Sequence, residues 1–351
     1  MAVRSRRRFR RLAPERQLAV DLGTANTVVY QRGRGVVTFE PSVVAIDERT
    51  GEVYAVGAEA RRMIGRTPAH IKATRPLRHG VIADFDTTEQ MLRYFIRTAF
   101  RRFGSGAEVM VCIPSGVTQV ERSAVEEATL GAGASRAYLI EEPLAAAIGA
   151  ELPVADSIGS LVVDVGGGTS EMAVTALGGM VVSNSVRTGG YDLDEAIVKL
   201  LQDTQRLLIG QEQAEAIKLE IGAAFPEIVD DRETEVAGRD LRTGLLRRTK
   251  VDSESVRAAL QGPLTQILDG LESVLERTPP ELAADIADRG VMLVGGGALL
   301  RGFDKLISQR TGLAVTVADE PLITVARGAG LALEGLHHLT PARRNRRRRP
   351  R

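Results

Sequence analysis

Runs of apolar residues that end in an aspartate and a glycine-rich turn mark the main elements of the chain. In the clearest run, residues 161–165, β-branched residues predominate and Asp164 is the one polar position. Such a run is typical of a strand that is buried on both faces. Gly166, Gly167 and Gly168 follow. A turn without Cβ atoms lets successive backbone N–H groups point into one concavity, which can bind phosphate.

One such turn is equally typical of a plain tight hairpin, so its repetition matters. A second apolar run, residues 18–20, ends in Asp21 and continues into a turn that contains Gly23. A third run, 291–294, precedes a Gly-Gly-Gly-Ala turn at 295–298. Three turns in this order predict a duplicated α/β unit whose halves face each other across a nucleotide.

The two aspartates occupy matching places at the ends of their strands. A carboxylate at Asp164 can hold a metal ion or its waters beside a phosphate, and Thr169 adds a hydroxyl at the rim. Two carboxylates close to a triphosphate would repel it without a cation, so Asp21 and Asp164 together imply Mg²⁺. The alternative for Asp21 is formation of the turn itself, since Asp is common at the end of a strand.

Helix-period patterns fill the segments between these runs. The strongest predicts a helix over 87–103, capped by Asp86 or Thr87, whose apolar stripe indicates core packing or, alternatively, membrane contact. The stripe consists of Leu92, Phe95, Ile96, Ala99, Phe100 and Phe103. Further helices are predicted at 58–64, 119–130, 143–150, 192–207, 212–221, 255–277 with a break near Gly262 and Pro263, and 324–336.

Composition narrows the class of protein. Hydrophobic residues make up 44% of the 351 positions, which allows a sizeable core, and no apolar run is long enough to span a membrane. The arginine-rich N-terminus is not followed by an apolar run, which argues against a secretory signal. The single cysteine, Cys112, lies in an apolar strand pattern and is interpreted as a small buried residue. A disulfide scaffold is thereby excluded, as expected for a cytoplasmic protein.

The net charge of +1 conceals two basic tails on an acidic body. Residues 1–16 carry a net charge of +6 and residues 341–351 carry +7, which leaves −12 on residues 17–340. We expect an anionic partner for the tails alone. Trp is absent and aromatic residues are 4% of the chain, so a platform that stacks nucleic-acid bases is not expected. Solubilising the body and nonspecific nucleic-acid binding are the alternatives for the tails.

Several short motifs outside the turns carry a resemblance to a known family. They are Glu40-Pro41-Ser42-Val43, Gly65-Arg66-Thr67-Pro68, Gln119-Val120-Glu121-Arg122, Glu141-Glu142-Pro143-Leu144 and Pro279-Pro280-Glu281-Leu282. With residues 21–27, they make the chain resemble the actin, sugar kinase and DnaK-type chaperone superfamily. Within it, the chain is most similar to the bacterial actin family MreB. The resemblance extends from about residue 18 to about residue 336.

The resemblance implies an α/β, actin-like ATPase fold, with two duplicated ribonuclease H-like domains around a nucleotide cleft. Each domain would carry a small inserted subdomain. The first large subdomain is expected at 17–43, 78–156 and 326–340, and its small one at 44–77. The second large subdomain is expected at 157–193 and 258–325, and its small one at 194–257. A disordered basic tail at 1–16 and a basic tail at 341–351 complete the chain.

The resemblance also implies roles for individual residues. Glu142 would position the attacking water, assisted by Thr169 and Asp164, through alignment and electrostatics rather than covalent chemistry. Its neighbour Glu141 would be a surface acid. The expected ATP or ADP contacts are Asp21, Gly23, Thr24, Ala25, Asn26, Gly166, Gly167, Gly168, Thr169, Glu215, Lys218, Gly295, Gly296, Gly297 and Ala298, with Asp21 and Asp164 at Mg²⁺.

Two of these predicted contact regions rest on local geometry as well. Glu215 and Lys218 are three residues apart and share a helix face, where they would hold the ribose or else form a solvated ion pair. The Gly-Gly-Gly-Ala turn at 295–298 would let the backbone approach the adenosine and would begin a helix whose N-terminus favours phosphate.

The function implied by the resemblance is that of a cytoskeletal protein that binds and slowly hydrolyses ATP. It would polymerise into filaments at the inner face of the cell membrane and, with cell-wall synthesis and shape proteins, organise cell shape. In the MreB family a hydrophobic loop after the helix predicted at 87–103 dips into the bilayer. Here only residues 104–107 separate that helix from the next strand, so the arginine-rich tails are the expected anchor.

Three other functions have different requirements. A small-molecule kinase of the superfamily would need a sugar pocket with an aspartate base, and no such cluster is evident in the sequence. A chaperone would need a substrate-binding domain after the ATPase. A cell-division actin of the FtsA type would have a different inserted subdomain and a C-terminal amphipathic helix, whereas the tail here is almost entirely arginine.

Overall fold

The computed structural model describes residues 16–100, 106–225 and 231–339. The strands are β1 (Gln17–Leu22), β2 (Asn26–Gln31), β3 (Gly35–Pro41), β4 (Val44–Asp47), β5 (Val53–Val56), β6 (Ile71–Thr74), β7 (Leu77–Arg78), β8 (Val81–Ile82), β9 (Ala107–Ile113), β10 (Ala134–Glu141), β11 (Ser160–Val165), β12 (Ser170–Ala176), β13 (Gly179–Val186), β14 (Leu207–Leu208), β15 (Glu233–Asp240), β16 (Leu246–Asp252), β17 (Val291–Val294) and β18 (Val315–Val317).

The helices lie between and after these strands. They are α1 (Ala58–Arg61), α2 (Phe85–Ala99), α3 (Gln119–Gly131), α4 (Glu142–Gly149), α5 (Gly190–Gln205), α6 (Gln211–Ile221), α7 (Ser253–Arg277), α8 (Pro280–Arg289), α9 (Phe303–Thr311) and α10 (Thr324–Leu339), with a short 3-10 helix at Gly296–Leu299. None of the helices in the described ranges is long and apolar enough to cross a membrane.

Two mixed sheets repeat one topology. In the first, the strand order is β3-β2-β1-β9-β10, and β1 is antiparallel to β2 but parallel to β9. In the second, the order is β13-β12-β11-β17-β18, and β11 is antiparallel to β12 but parallel to β17. This repetition confirms the duplicated α/β unit that the glycine-rich turns predict.

The central strand of the second sheet shows why its sequence is apolar throughout. Every residue of β11 is buried. Val163 belongs to the core of the second half, together with Leu193 and Ile267. Val162 points the other way, into a cluster with Ala146 of α4. A strand covered on both faces needs apolar side chains at odd and even positions alike.

That second cluster joins the two halves of the molecule. It contains residues from both sheets and from helices α4 and α10, which pack on each other between the sheets. Cys112 lies in this cluster at 2% exposure, so its interpretation as a small buried residue is confirmed. The halves therefore meet through apolar contacts below the end of the sheets where Asp21 and Asp164 lie.

Two small sheets occur within the segments expected to form the inserted subdomains. The order β5-β4-β6 lies within 44–77, next to α1, and the order β14-β15-β16 lies within 194–257. The exact subdomain boundaries stay predictions. A two-stranded ribbon of β7 and β8 follows the first small sheet.

Helix α2 differs from its prediction at both ends. Asp84 is the N-cap, and its Oδ1 accepts a hydrogen bond from the Thr87 N–H at 3.1 Å, so a cap at Asp86 or Thr87 was wrong. The helix ends at Ala99. The stripe residues Leu92, Phe95, Ile96 and Ala99 are buried, which confirms core packing for them. Phe103 and residues 104 and 105 of the 104–107 link lie outside the described residues.

The predicted break in the long helix near Pro263 is also wrong. Helix α7 is 25 residues long and continues without a break through Pro263. A proline removes one backbone N–H donor from a helix and strains the preceding turn. Leu260, Leu264 and Ile267 are buried on one face of α7, and this packing keeps the helix continuous across the proline.

Candidate functional site

A cavity of about 380 Å³ lies in the cleft between the two large sheets. It brings together residues that the sequence places in five separate segments. The predicted residues that line it are Asp21, Gly23, Thr24, Ala25, Asn26, Glu142, Asp164, Gly166, Gly167, Gly168, Thr169, Glu215, Lys218, Gly295, Gly296 and Gly297. Ala298 is the exception, because it is buried behind the cavity wall at 6% exposure.

The turns that follow β1 and β11 both line the cavity and approach each other closely at Gly167 and Ala25. A Cβ atom on Gly167 would be 2.5 Å from the Cβ of Ala25, so a side chain there would force the turns apart. The second turn is closed by a hydrogen bond from the Gly166 N–H to the Thr169 carbonyl at 2.9 Å. Backbone bare of side chains on this turn is accessible to an anion such as phosphate.

The two aspartates lie at equivalent positions beside these turns. Each is the fifth residue of its six-residue strand. Burial raises the pKa of Asp21 to about 7. Burial, with the negative charges of Asp21 and Glu171, raises the pKa of Asp164 to about 8. Both carboxyl groups are therefore costly to ionise without a cation.

The chemistry of these two side chains fits the Mg²⁺ that the sequence predicts. Mg²⁺ prefers oxygen ligands and keeps several waters, so it is commonly held by one or two carboxylates together with phosphate oxygens. Within the three described ranges, no group of three or more Asp, Glu, His or Cys side chains is arranged to hold a metal. With oxygen donors at Asp21 and Asp164, the site fits a Mg²⁺ ion whose remaining ligands would be water and phosphate oxygens.

The adjacent glutamates at the start of α4 have different surroundings. Glu142 lines the cavity and is 8% exposed. Burial raises the pKa of Glu142 well above its ordinary value, and the negative charges of Glu171, Asp21 and Asp164 act in the same direction. The Glu141 carboxylate instead forms an ion pair with Arg122 of α3. Of the two glutamates, only Glu142 therefore has its carboxyl group at the cavity.

The sequence interpretation missed a fourth buried acid, Glu171 of β12. Its carboxylate accepts hydrogen bonds from the N–H and Oγ of Ser115, at 3.0 and 2.6 Å, and from Ser185 Oγ at 2.5 Å. Ser115 follows β9 of the first sheet, whereas Glu171 and Ser185 belong to the second. Glu171 therefore joins the halves directly behind Thr169. The sequence offered one signal for this residue: Glu171 is an acid in an apolar strand, two residues after Thr169.

The predicted ribose residues are both on α6, but each has a protein partner. The Lys218 ammonium forms an ion pair with Asp194 Oδ1 at 2.7 Å and donates a hydrogen bond to the Gly190 carbonyl at 3.0 Å. Glu215 forms an ion pair with Arg61 of α1. Asp194, which the sequence interpretation also missed, is 1% exposed, and burial raises its pKa to about 6 against the opposing effect of Lys218.

The third glycine turn packs directly on Asp164. Gly295 has φ of 81°, and a Cβ there would lie 2.3 Å from Asp164 Oδ1, so only glycine fits. The helix that follows this turn is a four-residue 3-10 helix, Gly296–Leu299, and α9 begins only at Phe303. A helix thus does begin at the turn, but it is only a short 3-10 helix, and its binding of phosphate stays a prediction. Residues 295–297 line the cavity.

A duplicated α/β unit with a cavity between two aspartate-bearing hairpins is the architecture of an actin-like ATPase. The fold is similar to the solved structure of MreB 5 of Spiroplasma citri bound to AMPPNP, with a TM-score of 0.88 and 34% identity. That match covers 93% of this chain and 98% of the other. The fold class implied by the sequence is thereby confirmed.

Comparison of the sequence with known proteins defines the family within this class. The model of the MreB/Mbl protein family matches residues 15–341. The cell shape-determining protein MreB of Escherichia coli (strain K12) is 52% identical over 325 residues, covering 90% of this chain and 93% of the relative. The cell shape-determining protein Mbl of Bacillus cereus is 45% identical and covers 92% and 97%. The chain belongs to the MreB/Mbl family.

Proposed function

We propose that this protein is a cytoskeletal ATPase that binds ATP with Mg²⁺ in the cleft, hydrolyses the ATP slowly and assembles into filaments. These filaments would organise cell shape and cell-wall synthesis. The observation that carries the proposal is the cavity in the cleft, because residues from five distant segments converge on it. Its relatives add support, since MreB 5 of Spiroplasma citri is known in complexes with AMPPNP and with ADP.

Each part of the cleft has a role in this proposal. The glycine turns 166–168 and 22–24 bind phosphates through backbone N–H groups. Glu142 aligns water with the terminal phosphate, and Thr169 assists with its hydroxyl. Asp21 and Asp164 would hold Mg²⁺, which neutralises phosphate charge when bound. Glu215 and the glycine turn at 295–297 contact the nucleoside.

Filament assembly and the membrane location rest on the family. The tails 1–16 and 341–351, which lie outside the described residues apart from Arg16, carry fourteen arginines and would attach the filament to the inner membrane surface. Near an anionic leaflet each basic residue contributes about 1 kcal/mol. A filament presents many copies, so weak attachment of one subunit becomes strong attachment of the assembly.

Sedimentation of the full chain tests the proposal. Purified protein should pellet after addition of ATP and Mg²⁺ and release phosphate slowly, whereas an Asp21→Ala variant should stay in the supernatant. Flotation with anionic liposomes should then carry the filaments at low salt and lose them at high salt. A chain that stays soluble with Mg-ATP but phosphorylates a member of a sugar panel would contradict the proposal and indicate the kinase alternative.

A further inference from the structure

The mouth of the cleft is crossed by a set of polar contacts that the proposed nucleotide chemistry does not use. On one side are Arg61, Arg66 and Arg75, all within residues 58–75 beside the first small sheet. On the other side are helix α6 and the first turn of α5. The contacts pair Arg61 with Glu215, Arg66 with Glu212, and Arg75 with Gln211 and Tyr191. We call these seven side chains the cross-cleft bridge.

The inner end of the bridge borders the cavity itself. Arg61 and Glu215 both line it, and their ion pair leaves the Arg61 and Glu215 side chains only 37% and 29% exposed. Arg61 has a fixed location because α1 is anchored from outside: the Glu40 carboxylate accepts a hydrogen bond from the Ala58 N–H at 2.8 Å. Glu215 is the predicted ribose residue, so its orientation depends on an arginine from the opposite side of the cleft.

The outer end of the bridge adds contacts of a different kind. The Arg75 guanidinium lies 4.8 Å from the centre of the Tyr191 ring, and its Nε donates to the Tyr191 hydroxyl at 2.9 Å. Tyr191 also lines the cavity. Arg66 Nη2 lies 3.1 Å from Glu212 Oε2 in a more exposed ion pair. Three arginines on one side thus meet the polar face of one helix, over the opening through which a ligand would pass.

We propose that Arg61 positions Glu215 in the nucleotide pocket and, together with Arg66 and Arg75, holds the mouth of the cleft closed over a bound nucleotide. The proposal rests on the proposed function, since it needs a nucleotide in the cleft. The bridge contacts join protein to protein, so they stabilise the closed cleft rather than any group of the ligand. Release of a nucleotide therefore requires these contacts to break first.

Release of a fluorescent ADP analogue, chased with excess ADP in a stopped-flow instrument, tests the bridge in the full chain. Arg61→Ala, Arg66→Ala and Arg75→Ala should each accelerate release about two- to fivefold, as expected for partly exposed polar pairs. The triple variant should accelerate release about tenfold or more, and its effect should not exceed the combined effects of the three single variants. Arg62→Ala, which removes an exposed arginine from the same turn, is the matched control and should release at the wild-type rate.

A charge exchange separates a specific bridge from a general loss of charge. Arg66→Glu and Glu212→Arg should each accelerate release, and the double variant should restore a rate within about twofold of wild type. Glu212 does not line the cavity, so the exchange leaves the pocket intact. Single-turnover hydrolysis of bound ATP should be unchanged in Arg66→Ala, because the chemistry does not involve this residue.

The outcomes distinguish failure of the bridge from failure of the proposed function. A wild-type chain that binds no nucleotide would overturn both. Normal binding with unchanged release from the triple variant would overturn the bridge alone. Equal acceleration by Arg62→Ala, or no recovery in the Arg66→Glu and Glu212→Arg double variant, would also overturn it.

Discussion

The hairpins β1–β2 and β11–β12 have the same backbone frame but carry different chemistry. In the first, Asp21 pairs across the strands with Val28; in the second, Asp164 pairs with Glu171. Six residues separate the members of each pair. The duplication therefore preserves strand order, register and turn length, while one position opposite the aspartate has an apolar side chain in one half and a carboxylate in the other.

That single difference changes the electrostatics of the whole cleft. Burial and the charge of Asp21 are the larger causes of the raised pKa of Asp164, which is about 8 against about 7 for Asp21, and the charge of Glu171 adds to them. After burial, the charge of Glu171 is the largest contribution to the raised pKa of Glu142. Glu171 is also tied to the first half through Ser115. The comparison teaches that the fold repeats an aspartate-bearing turn in both halves, and that Glu171 makes the second half the more acidic side of the cleft.

The largest effect should come from removing either aspartate of the symmetric pair. Asp21→Ala and Asp164→Ala should each weaken Mg-ATP binding about a hundredfold, or ~2.7 kcal/mol, because the metal loses a ligand from one half. Fluorescence titration with an ATP analogue measures the affinity, and Asp203→Ala, at an exposed position of α5, is the control. Unchanged affinity in both variants, with an intact circular dichroism spectrum, would refute the metal-binding cleft.

The next effect should separate binding from hydrolysis. Glu142→Ala should retain ATP but hydrolyse it at least about tenfold more slowly, the low end for loss of a group that aligns a nucleophile. Filaments of this variant should persist. Phosphate release under saturating ATP measures the rate. Glu141→Ala breaks a pair with Arg122 outside the cavity and should hydrolyse ATP nearly normally; the reverse result would reassign the role within this pair.

Making the second hairpin like the first should cost stability. Glu171→Val leaves the N–H and Oγ of Ser115 and the Oγ of Ser185 without their acceptor, and we expect a loss of about 1–3 kcal/mol in the free energy of unfolding. Urea unfolding followed by circular dichroism measures it. Glu171→Gln keeps an acceptor oxygen and should lose less. A valine variant as stable as wild type would show that Glu171 does not join the halves.

The smallest effect should be a change with pH in the stability of the chain without nucleotide and metal. In the folded state the pKa values of Asp21 and Asp164 are raised from 3.8 to about 7 and about 8. From pH 3.8 up to these raised values, the folded state therefore binds more protons than the unfolded state. Stability should therefore fall as pH rises through this window, by a few degrees in Tm between pH 6 and pH 8.

The matched variant sharpens this pH test. Asp164→Asn removes one of the two titrating groups and should show a smaller drop in Tm over the same interval. Addition of Mg-ATP should also reduce the drop, because a cation favours the ionised carboxylates. A Tm that rises from pH 6 to pH 8 in the free wild-type chain would contradict the burial of these acids.

Much of the fold was predictable because its signals are local. An apolar run, an aspartate and glycines at fixed spacing specify a strand and its turn, and the repetition of this pattern indicates the duplication. The errors were also local. The α2 cap was placed at Asp86 or Thr87 instead of Asp84, and Pro263 was expected to break α7 although packing of Leu260 and Leu264 holds that helix together.

The residues missed in the site have roles that depend on distant partners. Glu171 meets Ser115 across 56 positions of sequence, and Arg61 meets Glu215 across 154. No periodicity or short motif encodes such a pair, because it exists only after the two halves have packed. Ala298 was included for the opposite reason: it continues a glycine motif in sequence, but the 3-10 helix turns it away from the cavity.

The number of nucleotides bound per chain tests the shared cleft most directly. Calorimetric titration of the full chain with ATP, in Mg²⁺ and again in excess chelator, measures stoichiometry and metal dependence together. A site built from both hairpins predicts one nucleotide per chain, with binding that is much weaker in chelator. Two nucleotides per chain, one for each duplicated half, would contradict the shared site, and so would no binding at all.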